Sequence, residues 1–195
     1  LTIAPYGLYF EGSSFYWVEE NTFSKIQTGG GDIEIPDFNE VSVGIIHNNS
    51  ALDIEEVYRN SFTGLYVGVE AIGQNRGVIE TEGLEYNCNN FLLGRTDMFI
   101  TDFVGGAASN NPGIQRDQGD QTDGPANRFS YEAGSYSSSR LLEDIHLQSA
   151  PTHNYFHYDS PNMAIDRFEP GYINNNDVSG FSVSNNGQLF SSSID

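Results

Sequence analysis

Two histidines, His153 and His157, have the spacing that metal ligands take on one face of a helix. The three residues between them are Asn, Tyr and Phe, which favour an extended strand. Residues four apart on a strand are separated by about 13 Å, too far for one zinc ion to bridge. We therefore interpret both histidines as packed or surface side chains.

Three carboxylates, Asp117, Asp120 and Asp123, lie in the glycine-rich residues 105–125 and are of the type that binds calcium. Their spacing of three differs from that of an EF-hand loop, whose ligands recur at every second residue. A solvated loop is the simpler interpretation. Calcium stays open as a secondary hypothesis, because a large acidic excess has to be screened by cations. We assign no metal ligand and no cofactor.

Glycoside hydrolysis needs two facing carboxylates, for which Asp97 and Asp102 are candidates, and lyase chemistry needs cations to neutralise a uronate. Cations are scarce, since Lys25 is the only lysine. The arginines lie singly among carboxylates, as at Arg59, Arg76 and Arg95. A uronate lyase is therefore disfavoured. We assign no catalytic residue and predict that the chain is not an enzyme, with hydrolysis of neutral sugars left open.

Cys88 is the only cysteine, so the chain can form no internal disulfide. Its sequence neighbours are both asparagines, and neither would activate a thiol. We predict that Cys88 is a small buried hydrophobic residue rather than a nucleophile.

The charge is strongly negative: 8 Lys plus Arg stand against 27 Asp plus Glu, for a formal net charge of -19. Such a surface repels phosphate backbones and anionic lipid headgroups. Nucleic acid is therefore excluded as a partner, and no apolar run reaches the roughly 20 residues that a membrane-spanning helix needs. The sequence starts at Leu1 without a leader pattern, so we expect it to be a piece of a longer polypeptide.

The N-terminal end is rich in aromatic rings. These are Tyr6, Tyr9, Phe10, Phe15, Tyr16 and Trp17. Exposed rings could stack on sugars or dock a neighbouring chain. We favour rings that pack and cap the first part of the fold, where in a longer protein they would cover the end of the preceding repeat.

The elements that position these residues are short strands. Apolar residues occur in brief runs separated by Gly, Asn and Asp, without a sustained helical period. The best helix candidate, residues 139–145, is one or two turns at most and equally a loop. This pattern predicts an all-β protein.

A three-residue word, Asn-x-Phe, recurs along the chain. Its copies are Asn21-Thr22-Phe23, Asn60-Ser61-Phe62, Asn89-Asn90-Phe91 and Asn127-Arg128-Phe129. Three of them follow a glycine-led strand, at residues 7–10, 44–47 and 83–86. In a parallel β-helix, equivalent residues of successive coils would stack in columns about 4.8 Å apart. We therefore predict a column of Asn side chains at a turn and a column of Phe rings inside the fold.

The asparagines of these words are 39, 29 and 38 residues apart, which is longer and less even than a minimal solenoid repeat. We therefore predict irregular loop insertions, with residues 27–38 and 105–125 as candidates because both are rich in Gly and polar residues.

These words resemble the parallel β-helix repeat regions of cell-surface and secreted proteins of Bacteroidota, many of which are type IX secretion substrates. The likeness rests on residues 18–23, 55–62 and 83–91 and on the order of residues 113–119, 125–130 and 154–158. It implies an extracellular structural or adhesive scaffold and carries over no catalytic residue. The sorting domain of that family is not evident in residues 166–195.

We therefore predict a right-handed parallel β-helix (solenoid) over residues 1–165, followed by a C-terminal extension or connection over residues 166–195. The expected location is extracellular or at the cell surface. The expected partners are other segments of the same or neighbouring surface proteins, with glycans as a further class. Two alternatives stay open, namely a carbohydrate-active β-helix domain that binds or cleaves glycans and a β-sandwich binding module.

Overall fold

The computed structural model describes residues 5–25, 41–50, 53–79, 81–101, 113–119, 126–130, 142–148, 154–157, 173–174 and 182–185. These residues form strands and turns, and none of them is helical. The strands are β1 (Tyr6–Glu11), β2 (Trp17–Glu19), β3 (Thr22–Ser24), β4 (Val43–Asn48), β5 (Ile54–Tyr58), β6 (Ser61–Thr63), β7 (Val67–Ile72), β8 (Gly83–Asn87), β9 (Asn90–Leu92), β10 (Thr96–Thr101), β11 (Asp117–Gln118), β12 (Glu143–Gln148), β13 (Asn154–His157), β14 (Ile173–Asn174) and β15 (Ser182–Asn185).

The strands form four sheets in which every ladder is parallel. The largest has six strands in the order β1-β4-β7-β10-β12-β14, and the others are β2-β5-β8, β3-β6-β9 and β11-β13-β15. The prediction of an all-β protein is confirmed for the described residues. Parallel ladders also differ from the antiparallel sheets of a β-sandwich.

The helix candidate at residues 139–145 is wrong for its described part. Strand β12 begins at Glu143, pairs with β10, and points Ile145 and Leu147 into the core. Alternation of buried and less buried residues with period two, supported by the β10 ladder, outweighs a weak helical propensity.

Successive strands return to the same three sheets in turn. Unit 1 consists of β1, β2 and β3, unit 2 of β4, β5 and β6, and unit 3 of β7, β8 and β9. The inward residues of all three sheets share one hydrophobic cluster, which includes Ile45 from β4, Val57 from β5 and Phe62 from β6. The core therefore lies between the sheets. The pairing continues beyond residue 165, where β14 pairs with β12 and β15 pairs with β13.

The predicted column of asparagines is confirmed. The backbone N–H of Asn21 donates to Oδ1 of Asn60 at 3.0 Å, and the N–H of Asn60 donates to Oδ1 of Asn89 at 3.0 Å. The N–H of Asn89 donates to Oδ1 of Asn127 at 2.9 Å. Each side-chain Nδ2 along this run also donates to the next Oδ1, at 3.1 to 3.2 Å. The result is a continuous side-chain ladder across four stacked turns.

The predicted column of phenylalanines is confirmed as well. The rings of Phe23, Phe62 and Phe91 stack with centroid separations of 5.1 and 5.0 Å and are within 13° of parallel. Phe129 extends the column at 6.1 Å from Phe91, and Tyr155 follows at 5.5 Å with a tilted ring. The rings from Phe62 onward are buried, so this column forms a large part of the core.

A column of glycines faces the rings. Gly7, Gly44 and Gly68 are equivalent in the β1-β4-β7 ladders. A Cβ built on Gly44 would lie 2.7 Å from a ring carbon of Phe62, and Gly7 and Gly68 have the same relation to the rings of their own units. Glycine is needed here for close approach of the ring.

The sequence pointed to Gly83 as the glycine of the third repeat, equivalent to Gly7 and Gly44, and this equivalence is wrong. Gly83 begins β8, in a different sheet from Gly7 and Gly44, and pairs with Ile54. Gly68 is the glycine that continues the column.

The residue before each ladder asparagine has a left-handed backbone. Glu20, Arg59, Cys88 and Ala126 have φ values between 51° and 57°. This conformation costs an L-residue roughly 1–2 kcal/mol. The N–H groups of Glu20 and Arg59 donate to carbonyl oxygens of the next unit at 3.1 Å, which helps to offset that cost.

Candidate functional site

The strongest candidate site lies on the outer face of the six-stranded sheet. Glu70 on β7, Phe99 on β10 and His146 on β12 are directly in register, and all three are half-buried. The residues that flank them on each strand point into the core, so the strands hold this row rigidly.

His146 is oriented by a carboxylate. Its Nδ1 lies 2.6 Å from Oε2 of Glu143, whose side chain is 9% exposed. In the tautomer with hydrogen on Nδ1, the Glu143 carboxylate is the acceptor of this hydrogen bond. The edge-to-face contact with Phe99, at a centroid distance of 4.9 Å, fixes the ring from the other side. The imidazole of His146 is thereby held in one orientation.

Glu70 supplies an acid at the other end of the row. Burial raises the pKa of its carboxyl above the ordinary value, so Glu70 keeps its proton to higher pH than an exposed glutamate. Its backbone is two ladder spacings from that of His146, roughly 10 Å. An acid, an aromatic surface and an oriented imidazole therefore follow one another in a line. Aromatic rings, carboxyl groups and imidazoles are side chains that recur in carbohydrate sites.

The sequence did not predict this row. Residues three apart on a regular strand point to opposite faces, so the contact between Glu143 and His146 could not be expected from their spacing. The only usable signal was the aromatic residue at 99 in a strand that otherwise reads as buried.

Asp97, a sequence candidate for an acid, is in the core. It is fully buried on β10, where its Oδ1 and Oδ2 accept hydrogen bonds from the Ser130 hydroxyl and N–H at 2.6 Å. It also forms a hydrogen bond with the buried Asp144, which requires a proton between the two carboxyl groups. Burial, and then the negative field of Asp144, raises the pKa of Asp97 well above its usual range. Asp97 therefore has no access to a polymeric substrate, and Asp102 lies outside the described residues.

A second polar group is also internal. His47 is completely buried, and burial lowers its pKa to about 3. Its Nδ1 is 2.7 Å from the hydroxyl of Tyr16, and its ring stacks on Phe10 at 5.4 Å. The imidazole is neutral and serves the core.

The metal hypotheses are only partly within the described residues. His157 is the last residue of β13, so the strand interpretation is confirmed for residues 154–157, whereas His153 lies outside them. Asp117 is on β11, 3.6 Å from Nε of Arg116, and Asp120 and Asp123 lie outside the described residues. No group of three His, Cys, Asp or Glu side chains suited to a metal occurs in the part of the chain that the structure describes.

The prediction of a buried Cys88 is wrong. The residue is half-buried, because it occupies a left-handed corner position whose side chain points partly to solvent. It forms a hydrogen bond with Tyr58 on the neighbouring unit.

The three arginines are each engaged separately. Arg59 is at the surface, 3.9 Å from Oε1 of Glu20. Arg76 is buried and donates from Nε to the carbonyl oxygen of Ile114 at 2.8 Å, whereas Arg95 lies over the ring of Tyr66 at 5.4 Å. These three arginines do not form a cationic cluster.

The N-terminal rings divide into two groups. Phe10 and Tyr16 are half-buried, stack at 4.3 Å and pack against the core, as predicted. The prediction of packing is wrong for the other rings, which point outward from unit 1. These are Tyr6, Tyr9, Phe15 and Trp17.

Compared with known proteins, the chain matches no family model, no curated protein and no solved structure. Within its described residues there is no helix that could cross a bilayer.

Proposed function

We propose that the chain is part of a right-handed parallel β-helix that serves as a structural or adhesive scaffold of an extracellular protein. The observation that carries this proposal is the continuity of the columns. The column of Asn side chains, the column of Phe rings and the strand ladders each continue from one unit to the next without interruption from β1 to β10. Stacking of this kind suits a rigid, extended element whose length is set by the number of repeats.

Charge supports the same proposal. At a net charge of -19 the surface repels nucleic acid and anionic lipid, which leaves proteins and neutral glycans as partners. The extracellular location rests on the resemblance to Bacteroidota surface proteins, and the partners that follow from it are other segments of such proteins.

Intact-cell labelling tests the scaffold proposal. An antibody against the chain should label unpermeabilised cells of the source organism, and protease added outside the cells should remove that signal. A cytosolic marker protein serves as the control for lysis. Labelling that requires permeabilisation would overturn the extracellular location.

The row of Glu70, Phe99 and His146 favours a second candidate, a carbohydrate-active domain. It combines an aromatic ring with a carboxyl group and an oriented imidazole. A glycan array and a reducing-sugar assay on neutral polysaccharides test it, with Phe99→Ala and Glu70→Gln as variants. Tyr9→Ala, in the same outward column on β1, is the matched control. A signal that both row variants abolish and the control keeps would favour this candidate over a purely structural role.

A further inference from the structure

Three of the four sheets, together with the Asn and Phe columns, extend to unit 1. The strands β1, β2 and β3 are the terminal strands of their three sheets. Within the described part of the chain, nothing pairs with their outer edges. Among the described residues, unit 1 therefore presents an open face of three unpaired strand edges, which have the same construction as those that pair between units 1 and 2.

The apolar residues of this face are only partly covered. Phe23 is half-buried, whereas its equivalents Phe62 and Phe91 are 2% and 1% exposed. Beside the face, Phe15 and Trp17 are 77% and 66% exposed. Exposed rings of this size, on edges that are free to form ladders, are typical of an interaction surface.

The corner hydrogen bonds give the face a polarity. At several left-handed corners, the N–H of one unit donates to an acceptor of the next unit along the chain, whereas the left-handed Gly83 and Gly113 donate to the carbonyl oxygens of Asp53 and Gly73, which are earlier in the chain. Gly12 donates to the carbonyl oxygen of Asn48, Glu20 to that of Tyr58, Gly64 to that of Leu92, and Asn21 to Oδ1 of Asn60. The residue after a ladder asparagine donates in the opposite direction: the N–H of Ser61 bonds to the carbonyl oxygen of Asn21, and that of Asn90 to the carbonyl oxygen of Asn60.

The open face of unit 1 therefore presents acceptors at these corners and, beside Asn21, the N–H of Thr22 as a donor, since Thr22 is equivalent to Ser61. The groups equivalent to the acceptors of unit 2 are the carbonyl oxygens of Glu11, Glu19 and Ser24 and the Oδ1 of Asn21. Two copies that met face to face through unit 1 would present the same groups to each other, whereas unit 2 receives from unit 1 a different set, namely corner N–H groups and the carbonyl oxygen of Asn21. The complementary surface is one that presents corner N–H groups.

We propose that this face docks one more three-strand unit of the parent polypeptide, with a left-handed corner followed by an Asn-x-Phe word. Its corner N–H groups bond to Glu19 and Asn21, and its phenylalanine stacks on Phe23 at the 5 Å spacing found within the chain. The proposal rests on the scaffold function and names the chemistry of its partner.

A graft tests the proposal directly. Residues 41–66, which carry unit 2, are copied and joined through the copied Tyr66 to Tyr6, because Tyr6 and Val67 hold equivalent places in the ladder. The graft contains no tryptophan, so Trp17, the only tryptophan of the chain, reports on the interface. We expect the melting temperature to rise by about 4 °C or more and acrylamide quenching of Trp17 to decrease.

The matched control is the same graft with Asn60→Pro and Phe62→Ala in the added copy alone, which removes the corner donor and the ring at constant length. It should show the melting temperature and quenching of the ungrafted chain. Equal behaviour of the two grafts, with circular dichroism confirming that both fold, would overturn the proposal. A concentration-dependent dimer of the ungrafted chain with protected Trp17 would overturn it too, because the face would then bind a second copy. Neither outcome depends on where the protein is located. The docking proposal and the extracellular scaffold function can therefore fail independently of each other.

Discussion

One position of the six-stranded sheet is filled by one residue type in units 1 to 3 and by another in the strands that follow. In the first three units the position is glycine, at Gly7, Gly44 and Gly68, and a phenylalanine ring lies against the bare backbone. In β10 and β12 it is Asp97 and Asp144, which are buried and hydrogen-bonded to each other.

The difference shows what a stacked fold tolerates. The backbone ladder stays in register across both regions, while the contents of the position change from an apolar contact to a polar network. The ring column loosens at the same place, from 5.0 Å between Phe62 and Phe91 to 6.1 Å between Phe91 and Phe129. Ladder hydrogen bonds therefore determine the architecture, and the core residues adapt to them.

Replacing the glycine of the first three units by the aspartate found in β10 and β12 should have the largest effect on stability. We expect Gly68→Asp to prevent folding, because a Cβ there would lie 2.6 Å from the Asp97 carbonyl oxygen and 2.7 Å from the Phe91 ring. The new carboxyl would also be buried without a hydrogen-bond partner. Asp97 is served by Ser130, which follows Phe129, whereas the residue that follows Phe91 in unit 3 is Leu92. Circular dichroism and gel filtration measure the outcome.

Gly12→Asn is the control for this substitution. Gly12 is exposed with φ +56°, a Cβ there would meet nothing within 4 Å, and unit 2 has Asn49 at the equivalent corner. A folded Gly68→Asp protein of normal stability would contradict the steric account.

Removing a ring from the tight part of the column should be the next largest effect. Phe91→Ala should lower the free energy of unfolding by about 3–5 kcal/mol, since a fully buried phenylalanine leaves a large cavity. Phe23→Ala should cost less, because Phe23 is half-buried in unit 1. Urea denaturation of both variants checks the order, and equal losses would show that the open face does not lower the contribution of its ring.

Breaking the asparagine ladder in its middle should cost about 2–4 kcal/mol. Asn60→Ala removes the acceptor of Asn21 and the donor to the carbonyl oxygen of Val18, all at a buried place. Asn21→Ala, at the exposed end of the same ladder, is the control and should cost less than about 1 kcal/mol. Chemical denaturation distinguishes the two, and a mild Asn60→Ala variant would mean that water replaces the lost bonds.

Substitutions in the pair of Asp97 and Asp144 should have the smallest effect on stability at a single pH. They should, however, clearly change how stability depends on pH. The folded-state pKa of Asp97 is raised, so its contribution to stability is complete below the unfolded-state pKa and is lost as pH rises through the folded value. Asp97→Asn should abolish this loss of stability with rising pH. Asp144→Asn removes one cause of the raised pKa and should move the loss to lower pH. Thermal melts across the pH range measure both, and an unchanged slope in Asp97→Asn would exclude Asp97 as the source.

The sequence predicted the features that depend on repetition. Stacked units bring like residues together, so the recurrence of Asn-x-Phe was enough to predict both columns. It did not predict the register of the third glycine, because Gly64, Gly68 and Gly83 all precede the third word and only the ladder selects Gly68.

The sequence also could not predict features that depend on neighbours from different units. The buried pair of Asp97 and Asp144 joins residues 47 positions apart through adjacent strands, and nothing in the local pattern marks either as internal. The row of Glu70, Phe99 and His146 has the same origin, since it requires the registers of three strands.

The direction of the corner hydrogen bonds also bears on how the chain folds during synthesis. The amide of Asn21 bonds to a residue made 39 positions later, that of Asn60 to one made 29 later, and that of Asn89 to one made 38 later. These three amides therefore stay without their partners after their own unit has been made, until the next unit has followed. Such a chain is completed in the order of translation, and the unit made most recently is always the one most prone to unfold, misassociate or be cut by proteases.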